Sequence, residues 1–138
     1  MKEIWIFFQL AFSSLGAWFG YFIGGGDSLL YALLSFVVID YITGVMCAIV
    51  DKTLSSKVGF KGICRKVLIF LLVGIGNIID VLVIDSGSIV RTTVIFFYLS
   101  NEGLSILENA AYLGLPVPTI IKNVLKQLHD KTENKNDK

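Results

Sequence analysis

Long apolar stretches, each broken by a few polar residues at regular intervals, fill most of the first 112 positions of the chain. The stretch that organises the rest is residues 29–50, LLYALLSFVVIDYITGVMCAIV, which is long enough to cross a bilayer yet carries Asp40 near its middle. Asp40, Thr43, Gly44, Cys47 and Ala48 recur at i, i+3, i+4, i+7 and i+8, so a helix places them on one small, polar face. The remaining faces are Leu, Phe, Val and Ile. Gly44 and Ala48 form a small-xxx-small pair that lets a second helix backbone approach closely. Two readings follow: a tightly packed span with one carboxylate turned inward, or an assembly face with a wet side.

Residues 4–23 make a first apolar segment about one bilayer long, with Gln9, Ser13, Gly16 and Gly20 on one helical face. A cleaved signal peptide is the rival reading, but the leading MKE is barely basic and Trp18, Phe19 and Tyr21 stand where small residues should precede cleavage. Residues 24–28, GGGDS, predict a tight turn. No strand precedes these glycines and no Lys-Ser/Thr follows, which excludes a phosphate loop. Residues 51–66 set Lys52, Lys57, Lys61, Arg65 and Lys66 against Asp51, the most basic short loop in the chain. Lys57, Lys61 and Arg65 form a stripe suited to anionic headgroups, and Gly59 and Gly62 suggest a turn or hinge. A third span is expected over 67–84, with Asn77 and Asp80 three apart, followed by a short acidic turn at 85–88.

The segment 89–112 is more polar. Arg91, Ile95, Tyr98, Glu102, Ser105 and Asn109 trace one side of a helix, flanked by Asn101 and Glu108. Gly114, Pro116 and Pro118 then break the chain. Residues 119–129 are amphipathic, with Ile120, Ile121, Val124, Leu125 and Leu128 opposite Lys122, Asn123, Lys126 and Gln127. Such a helix is expected to lie on the membrane or on a partner. Residues 130–138 read as a charged, disordered tail.

Magnitudes rank these spans. An Asp at a helix centre costs about 2.5–3.5 kcal/mol, while each Leu, Ile, Phe or Val returns about 0.3–0.6 kcal/mol. Residues 29–50 contain 12 such apolar residues and residues 67–84 contain 14, whereas 89–112 contain 10 and carry both Arg91 and Glu102. The fourth span is therefore the most marginal, and its polar stripe needs partner helices or water. Composition agrees with a membrane protein: 54% of 138 residues are hydrophobic and mean hydropathy is +0.73. The expected architecture is all-α, with a transmembrane domain over 1–118 and a cytoplasmic amphipathic helix and tail over 119–138. The positive-inside rule puts the 51–66 loop in the cytoplasm, and four spans then put both termini there too.

A net charge of +1 gives no reason to expect nucleic acid. Cys47 and Cys64 fit neither a disulfide framework nor a metal motif. The single histidine, His129, has no nucleophile near it in sequence and reads as a surface residue. No catalytic motif, cofactor site or metal site is expected. Asp40, Asp80, Arg91 and Glu102 invite comparison with proton relays, but the chain shows no inverted repeat of the kind transporters use. The alternative is a small self-associating protein whose candidate pore or assembly positions are Asp40, Thr43, Gly44, Asn77, Asp80, Arg91, Tyr98, Glu102, Ser105 and Asn109. Pairing of Arg91 with Asp40 or Asp80 inside one chain is the competing structural role. Glu102, Ser105 and Asn109 are the better lumen candidates.

An ordered set of short motifs resembles the phage lysis and toxin secretion holin family, which includes holin-like proteins encoded beside clostridial large toxins. The set is Asp40-x-x-Thr43-Gly44, Ser55-Ser56-x-x-Gly59-x-x-Gly62-x-x-Arg65-Lys66, Asp80, Tyr98-x-x-Asn101-Glu102-x-x-Ser105-Ile106-x-Glu108-Asn109, and Gly114-x-Pro116-x-Pro118. The resemblance implies a homo-oligomer in the bacterial cytoplasmic membrane that opens large lesions. Endolysin or a toxin lacking a signal peptide would pass as cargo without stable binding. Family members are often described with three spans, which leaves the role of residues 4–23 open. A small ion channel or transporter, and a non-permeabilising antiholin or scaffold, are the alternatives.

Overall fold

The structure is a computed structural model that describes residues 1–85 and 87–133. Among them all regular structure is helical: α1 (Lys2–Ile23), α2 (Ser28–Val50), α3 (Ser56–Ile78) continued by a π-helical segment (Ile79–Ile84), α4 (Ile89–Tyr112) and α5 (Thr119–Glu133). Three helices are long and apolar enough to cross a membrane: α1, α2 and the continuous Ser56–Ile84 helix. The fourth apolar stretch forms a helix of 24 residues. It is not among those three, because Arg91, Glu102 and Glu108 dilute its hydropathy.

The helix ends follow from local chemistry. Asp27 caps α2, its Oδ1 accepting from the Leu30 N–H at 2.9 Å. Ser55 caps α3, its hydroxyl accepting from the Val58 N–H at 3.2 Å. Gly24 ends α1 with φ +88°, and a side chain there would also run into Asn77 and Arg91. Gly114, at φ +87°, turns the chain after α4, and Pro116 and Pro118 keep it from continuing.

Two sequence expectations about residues 51–66 are corrected. Helix α3 begins at Ser56, so the loop is confined to 51–55, and Gly59 and Gly62 are neither turn nor hinge. They lie within α3 where Tyr41 of α2 crosses it. A Cβ on Gly62 would stand 3.2 Å from the Tyr41 ring, and one on Gly59 3.4 Å from its hydroxyl. Close helix contact outweighs a propensity cost of about 1 kcal/mol per glycine.

Helix α4 is the hub, packing on α2, α3 and α5; its contact with α2 is the most extensive in the molecule. The two run side by side in the same direction. Arg91 meets Asp27 at one end, and the Tyr112 hydroxyl donates to Asp51 at the other. Helix α4 therefore occupies the same depth as α2. Leu33, Val37, Ile69, Val73 and Ile95 form the buried core, with Ile23 of α1. Helix α1 packs along α3, meets α4 only at its last residue, and buries only Ile23. Its Phe22 ring fills the space that a side chain on Gly74 would take, whereas Gly16 and Gly20 face open space.

Helix α5 departs from expectation. It folds back along α4, with Leu125 and Thr132 buried and Leu128 and His129 half-buried. Ile120, Ile121 and Val124 remain exposed. The His129 ring lies 5.7 Å from the Phe97 ring, so it is not a plain surface residue. Residues 130–133, expected to be disordered, continue the helix. Residues 134–138 and Ser86 of the 85–88 turn lie outside the described residues.

Gly74→Val forces Phe22 out of its seat and is expected to cost about 1–3 kcal/mol by overpacking. Gly16→Ala, in open space, is expected to leave stability unchanged. Thermal unfolding of the two detergent-solubilised variants checks both.

Candidate functional site

The polar positions of the apolar stretches gather into two clusters at opposite ends of the core. The first is built on Arg91. Its Nε–H donates to the Ile23 carbonyl at 2.6 Å, Nη2 to the Gly25 carbonyl at 3.1 Å and Nη1 to Asp27 Oδ2 at 2.7 Å. Asn77 donates to the carbonyls of Tyr21 at 3.3 Å and Phe22 at 3.1 Å. One guanidinium and one amide thus satisfy the orphan carbonyls at the end of α1. Asp80, fully buried, accepts from the backbone N–H groups of Val90 at 2.9 Å and Arg91 at 2.8 Å. It caps α4 from another helix, at the end where the macrodipole favours an anion.

Pairing of the Arg91 side chain with Asp40 or Asp80 is therefore corrected. The ion-pair partner is Asp27, and Asp80 takes only the Arg91 backbone. The sequence signal for Asp27 was its position as the N-cap of α2, which holds a carboxylate where the α1–α2 turn meets α4. The Arg91 hydrogen bond holds the Asp27 carboxyl below its ordinary value of 3.8.

The second cluster is built on Lys66. Its ammonium donates to Asp40 Oδ2 and to Glu102 Oε2, joining α3 to α2 and α4. Asn109 donates to Asp40 Oδ1 at 3.3 Å and to the Thr43 hydroxyl at 3.0 Å. The Cys47 thiol donates to the Asn109 carbonyl at 3.7 Å. The small face of α2 is thus the seat of α4, and Gly44 lets Asn109 come close. Lys66, assigned by sequence to the basic loop, is instead a half-buried member of the interior.

A crevice of about 990 Å³ opens onto this cluster between α2, α3 and α4. Asp40, Gly44, Lys61, Arg65, Lys66, Tyr98, Glu102, Ser105 and Glu108 line it, while Lys57 stands apart and exposed on the first turn of α3. The continuous polar stripe read along α4 is divided. Arg91 belongs to the first cluster, Ile95 to the apolar core, and Glu102 and Asn109 to the second. Glu102 and Asn109 are engaged inside the protomer, and of the three lumen candidates Ser105 alone is free of a side-chain bond to another helix among the described residues.

Lys66→Met leaves two buried carboxylates unpaired and is expected to destabilise the bundle by about 3–5 kcal/mol. The triple variant Asp40→Asn/Lys66→Met/Glu102→Gln is expected to recover most of that loss. Chemical unfolding in detergent distinguishes the two. Because the folded Asp27 carboxyl titrates below 3.8, its link to Arg91 contributes fully above that pH and is lost as pH falls further. Thermal melts between pH 5 and about 2 should show an acid loss that Asp27→Asn removes.

Residues 17–130 match a family model described as the bacteriophage holin family. An uncharacterized protein of Listeria innocua is 42% identical over 136 residues, covering 96% of each chain. An uncharacterized 14.9 kDa protein from the nagH 3' region of Clostridium perfringens is 39% identical, covering 95% of this chain and 99% of its own. A probable holin of Bacillus phage phi105 is 38% identical over 101 residues, covering 73% of this chain and 74% of its own. No solved structure matches. With its motifs, its membrane-length helices and a match running from the end of α1 through most of α5, the chain belongs to the bacteriophage holin family.

Proposed function

We propose that the chain is a holin that homo-oligomerises in the bacterial cytoplasmic membrane and opens lesions wide enough for a folded protein. The observation that carries this reading is the family match over residues 17–130, joined to a charged crevice at the depth of a membrane-length helix. The apolar surface of α1, α2 and α3 suits lipid. The crevice holds acids and bases of both signs and so favours passage of water rather than selection of one ion. Endolysin is the expected cargo. A toxin without a signal peptide would use the same opening, because a lesion of that width does not read its cargo. Neither needs a stable binding site on the holin.

In this reading α4 is a fourth crossing whose Glu102 and Arg91 are paired with Lys66 and Asp27, while Glu108, near its far end, lines the crevice. In the same reading Lys52, Lys57, Lys61 and Arg65 mark the cytoplasmic end of α2 and α3, in agreement with a cytoplasmic N-terminus and with α5 starting on the cytoplasmic side. Lys57, Lys61 and Arg65 are exposed there, within reach of anionic headgroups, at about 1 kcal/mol per charge.

Controlled expression in bacteria tests the proposal, with and without a cytoplasmic endolysin and with a folded cytoplasmic reporter. The expected result is an abrupt fall in culture density only with endolysin, accompanied by reporter release. Loss of membrane potential without reporter release would instead indicate a small channel. An intact membrane despite verified insertion would indicate an antiholin or scaffold.

A further inference from the structure

Helix α5 stands where an amphipathic surface helix has no reason to be. The Leu125 methyls and the Phe36 ring converge on Gly103, where an added Cβ would lie 2.9 Å from Leu125 and 3.0 Å from Phe36. Phe36 is eight residues into α2, about 12 Å along a helix of membrane length. Leu125 is therefore near the middle of the bilayer thickness that α2 spans. His129 stacks near Phe97, further along α4 toward its start, so α5 continues through that depth.

The outer surface of α5 is sided. Lys122, Lys126 and Asp130 follow one another at four-residue spacing, beside Asn123 and Glu133, and all are exposed. Ile120, Ile121 and Val124 occupy the adjoining flank. Apart from Lys131, which is exposed on the Ile120 and Val124 side, the charges of α5 share one face, at a depth where a lone protomer would meet acyl chains, which cannot solvate them. Glu102 and Asn109 of α4 are turned inward to Lys66, Asp40 and Thr43, and its Ser105 and Glu108 line the crevice with α2 and α3, which no residue of α5 lines.

We infer that α5, docked on α4, lines the water-filled lumen of the oligomer with Lys122, Lys126 and Asp130. The inference rests on the pore-forming reading above and adds which face of the protomer meets water.

Full-length protein carrying Cys47→Ser and Cys64→Ser, reconstituted in vesicles that trap a folded fluorescent protein, allows the test. With a bimane label on Lys126→Cys, iodide in the aqueous phase is expected to quench several-fold more strongly than a nitroxide placed mid-chain on phosphatidylcholine. The reverse order would overturn the inference. A second variant, Phe36→Cys/Leu125→Cys, is cross-linked with a bismaleimide, because the backbones of α2 and α5 are too far apart for a disulfide. Cross-linked vesicles are expected to release the trapped protein as well as untreated ones. Release by the untreated form alone would mean that α5 leaves its seat when the lesion opens, which also overturns the inference. Failure of release in the unlocked parent would instead count against the pore-forming reading itself.

Discussion

A single ammonium group, Lys66, held between the carboxylates of Asp40 and Glu102, fastens three helices of this protein to one another. Each carboxylate alone would oppose insertion of its helix by a few kcal/mol. Together with Lys66 and the amide of Asn109 they leave one formal negative charge, spread over a hydrogen-bonded set that faces a crevice rather than lipid. Breaking such a set strands charge in a low-dielectric interior, so the bundle is held by the penalty of opening it as much as by the attraction. The interior of the bundle is thus already polar, with a crevice opening onto it on one side.

The Arg91 cluster does for the other end of the bundle what Lys66 does for this one, by different means. Arg91 and Asn77 collect the carbonyls that end α1, Asp27 caps α2 while pairing with Arg91, and Asp80 caps α4. Three helix ends are satisfied in one place, where unpaired backbone groups would be expensive. Between the clusters lies an apolar layer of Leu33, Val37, Ile69, Val73 and Ile95. Eleven residues of α4, about 16 Å, separate Arg91 from Glu102. This layering explains why a hydropathy count rejects α4 although it runs the full length of α2. Hydropathy charges each polar residue as if it met lipid alone, and here Arg91, Glu102 and Asn109 each have a partner beyond α4.

Much of the architecture was legible in the chain. The apolar stretches, the glycine turn at 24–28, the proline break after Gly114 and the small face around Asp40 all mark real features, because each depends on neighbours in sequence. The errors share a cause, which is that tertiary contact decided the outcome. Gly59 and Gly62 read as a hinge until Tyr41 is seen lying across them. Lys66 read as the last residue of a basic loop, because nothing local indicates that α3 extends a further 11 residues toward its N-terminus or that two acids await it. Arg91 found its partner 64 residues away in Asp27, which local reading had counted only as a turn acid. The apolar side of α5 suggested a membrane surface, and only the gap above Gly103 shows why Leu125 turns to the bundle instead.

The central claim is that paired charges allow α4 to cross the bilayer as a fourth helix beside α2. The most direct measurement is protease sidedness in intact bacterial spheroplasts, using an epitope tag at the N-terminus and cleavage sites inserted at Gly25 and, in a second variant, at Gly114. With four crossings, the tag and the Gly114 site are protected until the membrane is permeabilised, while the Gly25 site is cut from outside. A Gly114 site that is cut from outside while the N-terminal tag survives would show that α4 does not cross, and would contradict the role given to Lys66 and Arg91.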